Sequence, residues 1–164
     1  MKRGPLLLLL DTNVLLDEYI PTRPSSAESR QLIDLALEQG HTLLYAARAL
    51  VDVHHVISCT FKQMVREERG IVLEEDALAI AEIAWGCIDN LCELATAVGL
   101  DNGDVWLARK YRTLHNDFED NFVLAAAERA NADFLVTSDK QLLRKATVAA
   151  LSPKDMLALL SASA

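Results

Sequence analysis

The chain has 164 residues, of which 51% are hydrophobic and 5% aromatic, and its formal net charge is −8. That length suits one compact domain, and the acid surplus excludes a protein that holds nucleic acid through a broad basic surface alone. The exclusion does not reach a nuclease, because carboxylates that bind divalent cations carry the wrong sign until the metal is present.

In chain order, Leu6 to Leu10 is a continuous apolar run closed by Asp11 and predicts a buried parallel strand. It follows Met1-Lys2-Arg3 but is too short for a signal sequence, and no stretch is long enough to cross a membrane. Residues 21–26 form a loop, and Ser25 or Ser26 caps a helix from Ala27 to Gln39 that ends at Gly40. Leu43 to Ala46 is a second strand, and a helix from Arg48 to Arg69 stops near Gly70. Residues 74–98 read as one helical stretch closed by Gly99, expected to protrude or to contact a second copy within a single domain over 1–164.

Val105 to Leu114 reads as a short helix or a strand-helix mixture. Asn116 and Glu119 have the capping-box spacing and open a helix from Phe118 to Ala130. Phe134 to Thr137 is a strand and Val148 to Leu151 another, after which Ser152 caps a last helix with Pro153 at its first position. Strands alternating with helices argue an α/β layer fold. The three cysteines, Cys59, Cys87 and Cys92, include no CxxC pair and read as reduced, mostly buried thiols of a cytoplasmic protein.

The chemistry lies in the acids at element ends. Asp11 and Asp139 each follow a predicted strand, and ligands in parallel sheets sit outside the carboxyl ends of strands. Asp117 and Asp120, three apart, share a face at a helix start. Taken singly, each is as well read as a cap or a turn residue. Together they converge on one crevice, where like charges demand a cation or a shared proton. Oxygen-only ligands select Mg2+ or Mn2+, and a pair of such ions activates water and stabilises a phosphodiester's leaving oxygen. Thr137 and Ser138 supply hydroxyls that orient a carboxylate or a bound water. The six glycines are scattered, so no Gly-rich loop cradles phosphate.

Three segments carry a resemblance: Leu8-Leu9-Leu10-Asp11-Thr12-Asn13-Val14-Leu15-Leu16, then Asp117-Phe118-Glu119-Asp120-Asn121-Phe122-Val123, then Ala132 to Asp139. In this order they resemble the acidic motifs of PIN domains, and Leu151-Ser152-Pro153 with the residues after it is similar to that family's closing strand and helix. The resemblance implies a three-layer Rossmann-like fold, a central parallel sheet flanked by helices. It also implies a Mg2+- or Mn2+-dependent ribonuclease, similar to VapC-type toxins that a co-encoded antitoxin inhibits, and often a homodimer. It assigns Asp11, Asp117, Asp120 and Asp139 to the metal, with Asn13, Thr137 and Ser138 in support. The family's usual Glu after the second strand is matched here by Asp52, one methylene shorter, which joins Asp11, Asp120 and Asp139 as a catalytic candidate.

Other residues keep two readings. Lys62, Arg66 and Arg69 form a stripe, and Arg109, Lys110 and Arg112 a cluster; each is a solvated face or a contact to RNA phosphates. Trp85 and Trp106 pack in a core or interface, or stack on bases. His54 and His55, being adjacent, cannot both face one crevice on a helix. Competing functions are a phosphatase or phospho-receiver built on Asp11, which lacks the acidic neighbour such sites use, and a non-catalytic scaffold whose metal site has decayed.

Overall fold

The computed structural model describes residues 4–162, so Met1-Lys2-Arg3 and the signal-sequence question they raise lie outside the described residues. Five strands, β1 (Leu7–Leu10), β2 (Thr42–Ala46), β3 (Thr96–Val98), β4 (Phe134–Val136) and β5 (Ala150–Leu151), form one sheet in the order β3-β2-β1-β4-β5. Every pairing is parallel, with Leu8 opposite both Leu43 and Phe134. Parallel neighbours need crossover connections. Among the described residues seven helices share that work, α1 (Thr12–Tyr19), α2 (Ser26–Glu38), α3 (Ala49–Arg69), α4 (Glu74–Leu94), α5 (Asn102–Lys110), α6 (Phe118–Arg129) and α7 (Lys140–Lys145), and α8 (Pro153–Ser161) follows the last strand. A 3-10 turn, Tyr111–Thr113, follows α5.

Side chains alternate along each strand, so each strand feeds both faces. Leu8, Leu10, Leu43 and Tyr45 pack with α1, α2, α3 and α8, whereas Leu9, Leu44, Ala46 and Leu135 pack with α6 and α7. Both faces are covered, which is why Leu7–Leu10 is apolar throughout instead of alternating. Ala125, Ala126 and Ala127 are buried in α6, where small side chains let the helix lie close on the sheet. The expected three-layer Rossmann-like fold with a central parallel sheet is what the chain adopts.

Two polar clips hold the loops. Buried Asp17 accepts from Arg23 Nε at 2.7 Å and Ser29 Oγ at 2.8 Å, and its carbonyl accepts from Ser26 Oγ at 2.8 Å. Ser26 is therefore spent on Asp17, and Ser25, at the N-cap of α2, makes no side-chain cap bond. On the other face, Arg129 of α6 pairs with Asp104 of α5 and, at 2.7 Å, with Asp101, while Tyr111 donates to Glu128.

Several expected boundaries move. The stretch read as one helix over 74–98 ends at Leu94, and Thr96–Val98 turns extended to pair with Leu44–Ala46, because Ala95 leaves helical angles (φ −141°, ψ 160°). The short helices α1 and α7 were not predicted, and the region read as Val105 to Leu114 is α5 with its 3-10 turn. Ser152 caps α8 through Asp155 N, with Pro153 in its first turn, as the sequence indicates. Among the described residues no helix is long and apolar enough to cross a membrane.

Candidate active site

β1 and β4 are neighbours although the chain reaches β4 only after building outward through β2 and β3, so the carboxyl ends of β1 and β4 flank the point where strand order reverses. Asp11 sits there at the end of β1, and its backbone N–H donates to Val136 O of β4 at 3.0 Å. Its Oδ1 accepts from Thr12 N at 2.7 Å and its Oδ2 from Thr137 Oγ1 at 2.8 Å. The same Thr137 oxygen accepts from Asp139 N at 3.0 Å, so one hydroxyl links the two strand-terminal acids. Asp139 caps α7 through Oδ1 alone, accepting from Gln141 N and Leu142 N. Asp117 does the same for α6, with Oδ1 accepting from Glu119 N and Asp120 N. Of the two caps the sequence offers for α6, Asn116 and Asp117, the fold uses Asp117, and each capping acid keeps Oδ2 unbonded among the described residues.

Asp11, Asp52, Asp117, Glu119 and Asp120, with Asn13, line one cleft of about 330 Å³. Asp120, Asp139 and His115 each offer an atom within 4.8 Å of the others. Burial pushes the Asp11 carboxyl up to about 6, the hydrogen bonds from Thr137 and Thr12 oppose this, and the charges of Asp139 and Glu119 add to it. Burial likewise lifts Asp120 to about 6, with Asp11 and Asp117 raising it further and His115 opposing. Glu119 is raised by burial and by Asp52. Among the described residues no Lys or Arg forms an ion pair with Asp11, Asp117, Asp120 or Asp139. An oxygen-rich, under-neutralised cluster with uncommitted carboxylate oxygens fits a hard divalent cation.

His115, Glu119 and Arg48 are site residues that sequence reasoning missed. His115 is buried, its Nδ1 accepts from Asp117 N at 3.1 Å, and its Nε2 lies 3.4 Å from Asp120 Oδ2 without a well-formed hydrogen bond. Accepting at Nδ1 leaves the proton of the neutral ring on Nε2. Nε2 therefore faces Asp120 as an N–H that no acceptor satisfies among the described residues. Arg48 Nη1 lies 3.3 Å from Asp52 and 3.4 Å from Glu119, bridging the start of α3 to α6. In the sequence Glu119 stands out only as half of a capping box. A histidine two residues before an N-cap, and an arginine one turn before an acid, were the available signals.

The remaining predicted residues are placed as follows. Asn13 stands in the cleft wall, its Oδ1 accepting from Arg23 at 3.2 Å. Asp52 reaches the wall but is held by Arg48. Ser138 is exposed and its hydroxyl makes no hydrogen bond among the described residues, where Thr137 alone of the two orients a carboxylate. Lys62, Arg66 and Arg69 run outward along α3, and Lys62 lies roughly 15 Å beyond Asp52 at 1.5 Å per residue. Arg69 is taken by Asp76 of α4 at 3.0 Å. Neither tryptophan is in the core: Trp85 is 57% and Trp106 62% exposed, and Trp85 meets His54 edge-on at 5.3 Å. The cysteines are free, but Cys59 and Cys92 are exposed and Cys87 only partly buried, correcting the expectation of mostly buried thiols.

The raised Asp11 pKa fixes the sign of a pH effect. The folded state holds the Asp11 proton more tightly than the unfolded state, so this group's contribution is present below about 3.8 and lost as pH climbs to about 6. At about 1.4 kcal/mol per unit, the cost at neutral pH is on the order of 3 kcal/mol. In EDTA, thermal unfolding of wild type is expected to show this loss between pH 4 and 6.5. Added Mn2+ is expected to raise Tm at pH 7.5 and leave it little changed at pH 4.5; an equal rise at both would contradict the charge argument.

These features define a Rossmann-like α/β protein with an acidic crevice at its topological switch point. The PIN domain family model matches residues 8–141, and the chain belongs to that family, a family of nucleases. Among solved structures it is similar to VapBC2 from Rickettsia felis bound to a DNA fragment from its promoter, at 13% identity and a TM-score of 0.63 over 90% of this chain and 98% of that one. It is also similar to FitAB bound to an IR36 DNA fragment, at 16% identity and a TM-score of 0.62 over 90% and 95%. No curated protein sequence matches the chain.

Proposed function

We propose that the chain is a Mg2+- or Mn2+-dependent endoribonuclease of the cytoplasm and the toxin of a toxin–antitoxin pair. One observation carries the reading: Asp11 and Asp120, both pushed to about 6, share a crevice, Asp139 comes within 4.8 Å of Asp120, and no Lys or Arg among the described residues pairs with them. Asp11, Asp120 and Asp139 would hold the ion, with the uncommitted oxygen of Asp117 beside them. A bound ion of this kind activates water and stabilises the leaving oxygen of a phosphodiester. The protein's own part is to hold the acids still. Thr137 fixes Asp11, the two caps fix Asp117 and Asp139, and His115 Nε2 stands 3.4 Å from Asp120. Arg48 keeps Asp52 and Glu119 at the wall, where Asp52 takes the place of the family's longer acid.

The VapBC2 and FitAB assemblies support a partnered toxin. Exposed Leu78, Ile83 and Trp85 on α4 suit the antitoxin or a second copy as the partner, through the arm that α3 and α4 form. Incubation with a panel of single-stranded and structured RNAs is the direct test. Fragments that need Mn2+ and vanish with EDTA are the expected result. A folded protein that binds no Mn2+ by calorimetry and cuts no RNA is the non-catalytic scaffold instead.

A further inference from the structure

A second cavity, of about 660 Å³, opens beside the first turn of α6 and is lined by Trp106, Arg109, Lys110, Arg112, Phe118 and Asn121, among others. At 100° per residue, Phe118 and Asn121 share one side of that turn, while Glu119 and Asp120 of the acidic cleft share the other. The two openings are therefore separated by about one helix diameter, roughly 10 Å.

The cavity's chemistry is the reverse of the cleft's. Arg109, Lys110 and Arg112 form no ion pair among the described residues, in a chain whose net charge is −8. Trp106 and Phe118 expose 62% and 56% of their surface, and Lys110 Nζ lies 5.4 Å from the centre of the Trp106 ring. Asn121 is buried; its Nδ2 donates to His115 O at 3.0 Å, which fixes the amide orientation and leaves Oδ1 an acceptor with no partner. The Arg129 clamp holds α5 against α6, so the cations and rings sit on a fixed frame.

We propose that this cavity is a binding site for single-stranded RNA, with a base stacked on Trp106 or Phe118 and the neighbouring phosphates held by Arg109, Lys110 and Arg112. Stacking on exposed rings beside free cations is how unpaired strands are held without a sequence code. The acidic cleft repels a polyanion, so a strand must be received by positive charge nearby. The proposal rests on the nuclease reading, naming how its substrate is gripped.

The test is fluorescence anisotropy of a labelled, unstructured RNA oligonucleotide in EDTA, where nothing is cut, alongside Mn2+-dependent cleavage by wild type. Arg109→Glu with Arg112→Glu is expected to weaken binding at least about tenfold and to flatten the log K against log salt slope by about 1.4, at about 0.7 for each phosphate no longer neutralised. Trp106→Ala is expected to weaken it at least about fivefold. These side chains are exposed, and circular dichroism checks that the variants fold. Wild type that cleaves RNA yet binds equally well after the charge reversals overturns the cavity proposal alone. Wild type that neither binds nor cleaves overturns this proposal and the nuclease reading together. Loss of affinity for a polyglutamate peptide, with RNA binding intact, assigns the cavity to an acidic protein segment and overturns it as well.

Discussion

Asp11→Asn is expected to abolish metal-dependent cleavage, by on the order of 10³-fold or more, while making the metal-free protein more stable. The first half follows from removing a charge that would hold the ion, whose contribution to the transition state is several kcal/mol. The second half follows from burial. Asp11 is only 4% exposed, and its carboxyl is pushed to about 6, so ionising it at neutral pH costs the fold on the order of 3 kcal/mol. Asparagine removes that cost and still accepts from Thr12 N. Its Nδ2 can donate to Thr137 Oγ1, at the expense of the hydroxyl's present acceptor, about 1 kcal/mol. The net gain is about 1–2 kcal/mol in EDTA, read as a higher Tm at pH 7.5. Retained cleavage would remove Asp11 from the site, and a lower Tm would mean that its carboxylate is better compensated than described.

Arg129→Ala is expected to cost about 3–5 kcal/mol, a large fraction of the 5–15 kcal/mol that holds a typical domain together. Asp104 is fully buried, and apart from Arg129 its hydrogen bonding is to the backbone N–H of Asp101. Truncating the arginine strands that carboxylate and also releases Asp101. Urea titration measures the loss. The double variant Arg129→Ala, Asp104→Ala should recover part of it, because an absent charge is cheaper than an unpaired one. If the single variant proves as stable as wild type, the clamp contributes nothing to holding α5 against α6.

The sequence was most informative where burial on both faces writes an unbroken apolar run, as in Leu7–Leu10, or where a proline and a serine mark a helix start, as at Ser152-Pro153. It was least informative for short elements whose existence depends on neighbours. β3 is three residues added to a long helix, extended because β2 offers it a partner, and α7 is six residues nucleated by the Asp139 cap. Of the site, the strand-end acids were legible because residue type and position coincide. His115 and Arg48 were not, since both act through spatial neighbours: His115 through its contact with Asp120, and Arg48 by spanning α3 and α6. For the α6 cap the sequence offers both Asn116, by its capping-box spacing, and Asp117, and only the fold chooses Asp117.

The link through Thr137 joins residues 126 positions apart, and β4 must lie beside β1 before it can form. A chain still emerging from the ribosome, with β1 and β2 already folded, therefore carries Asp11 but not its companion acids. Whatever chemistry the acidic crevice supports is deferred until residue 139 has left the ribosome.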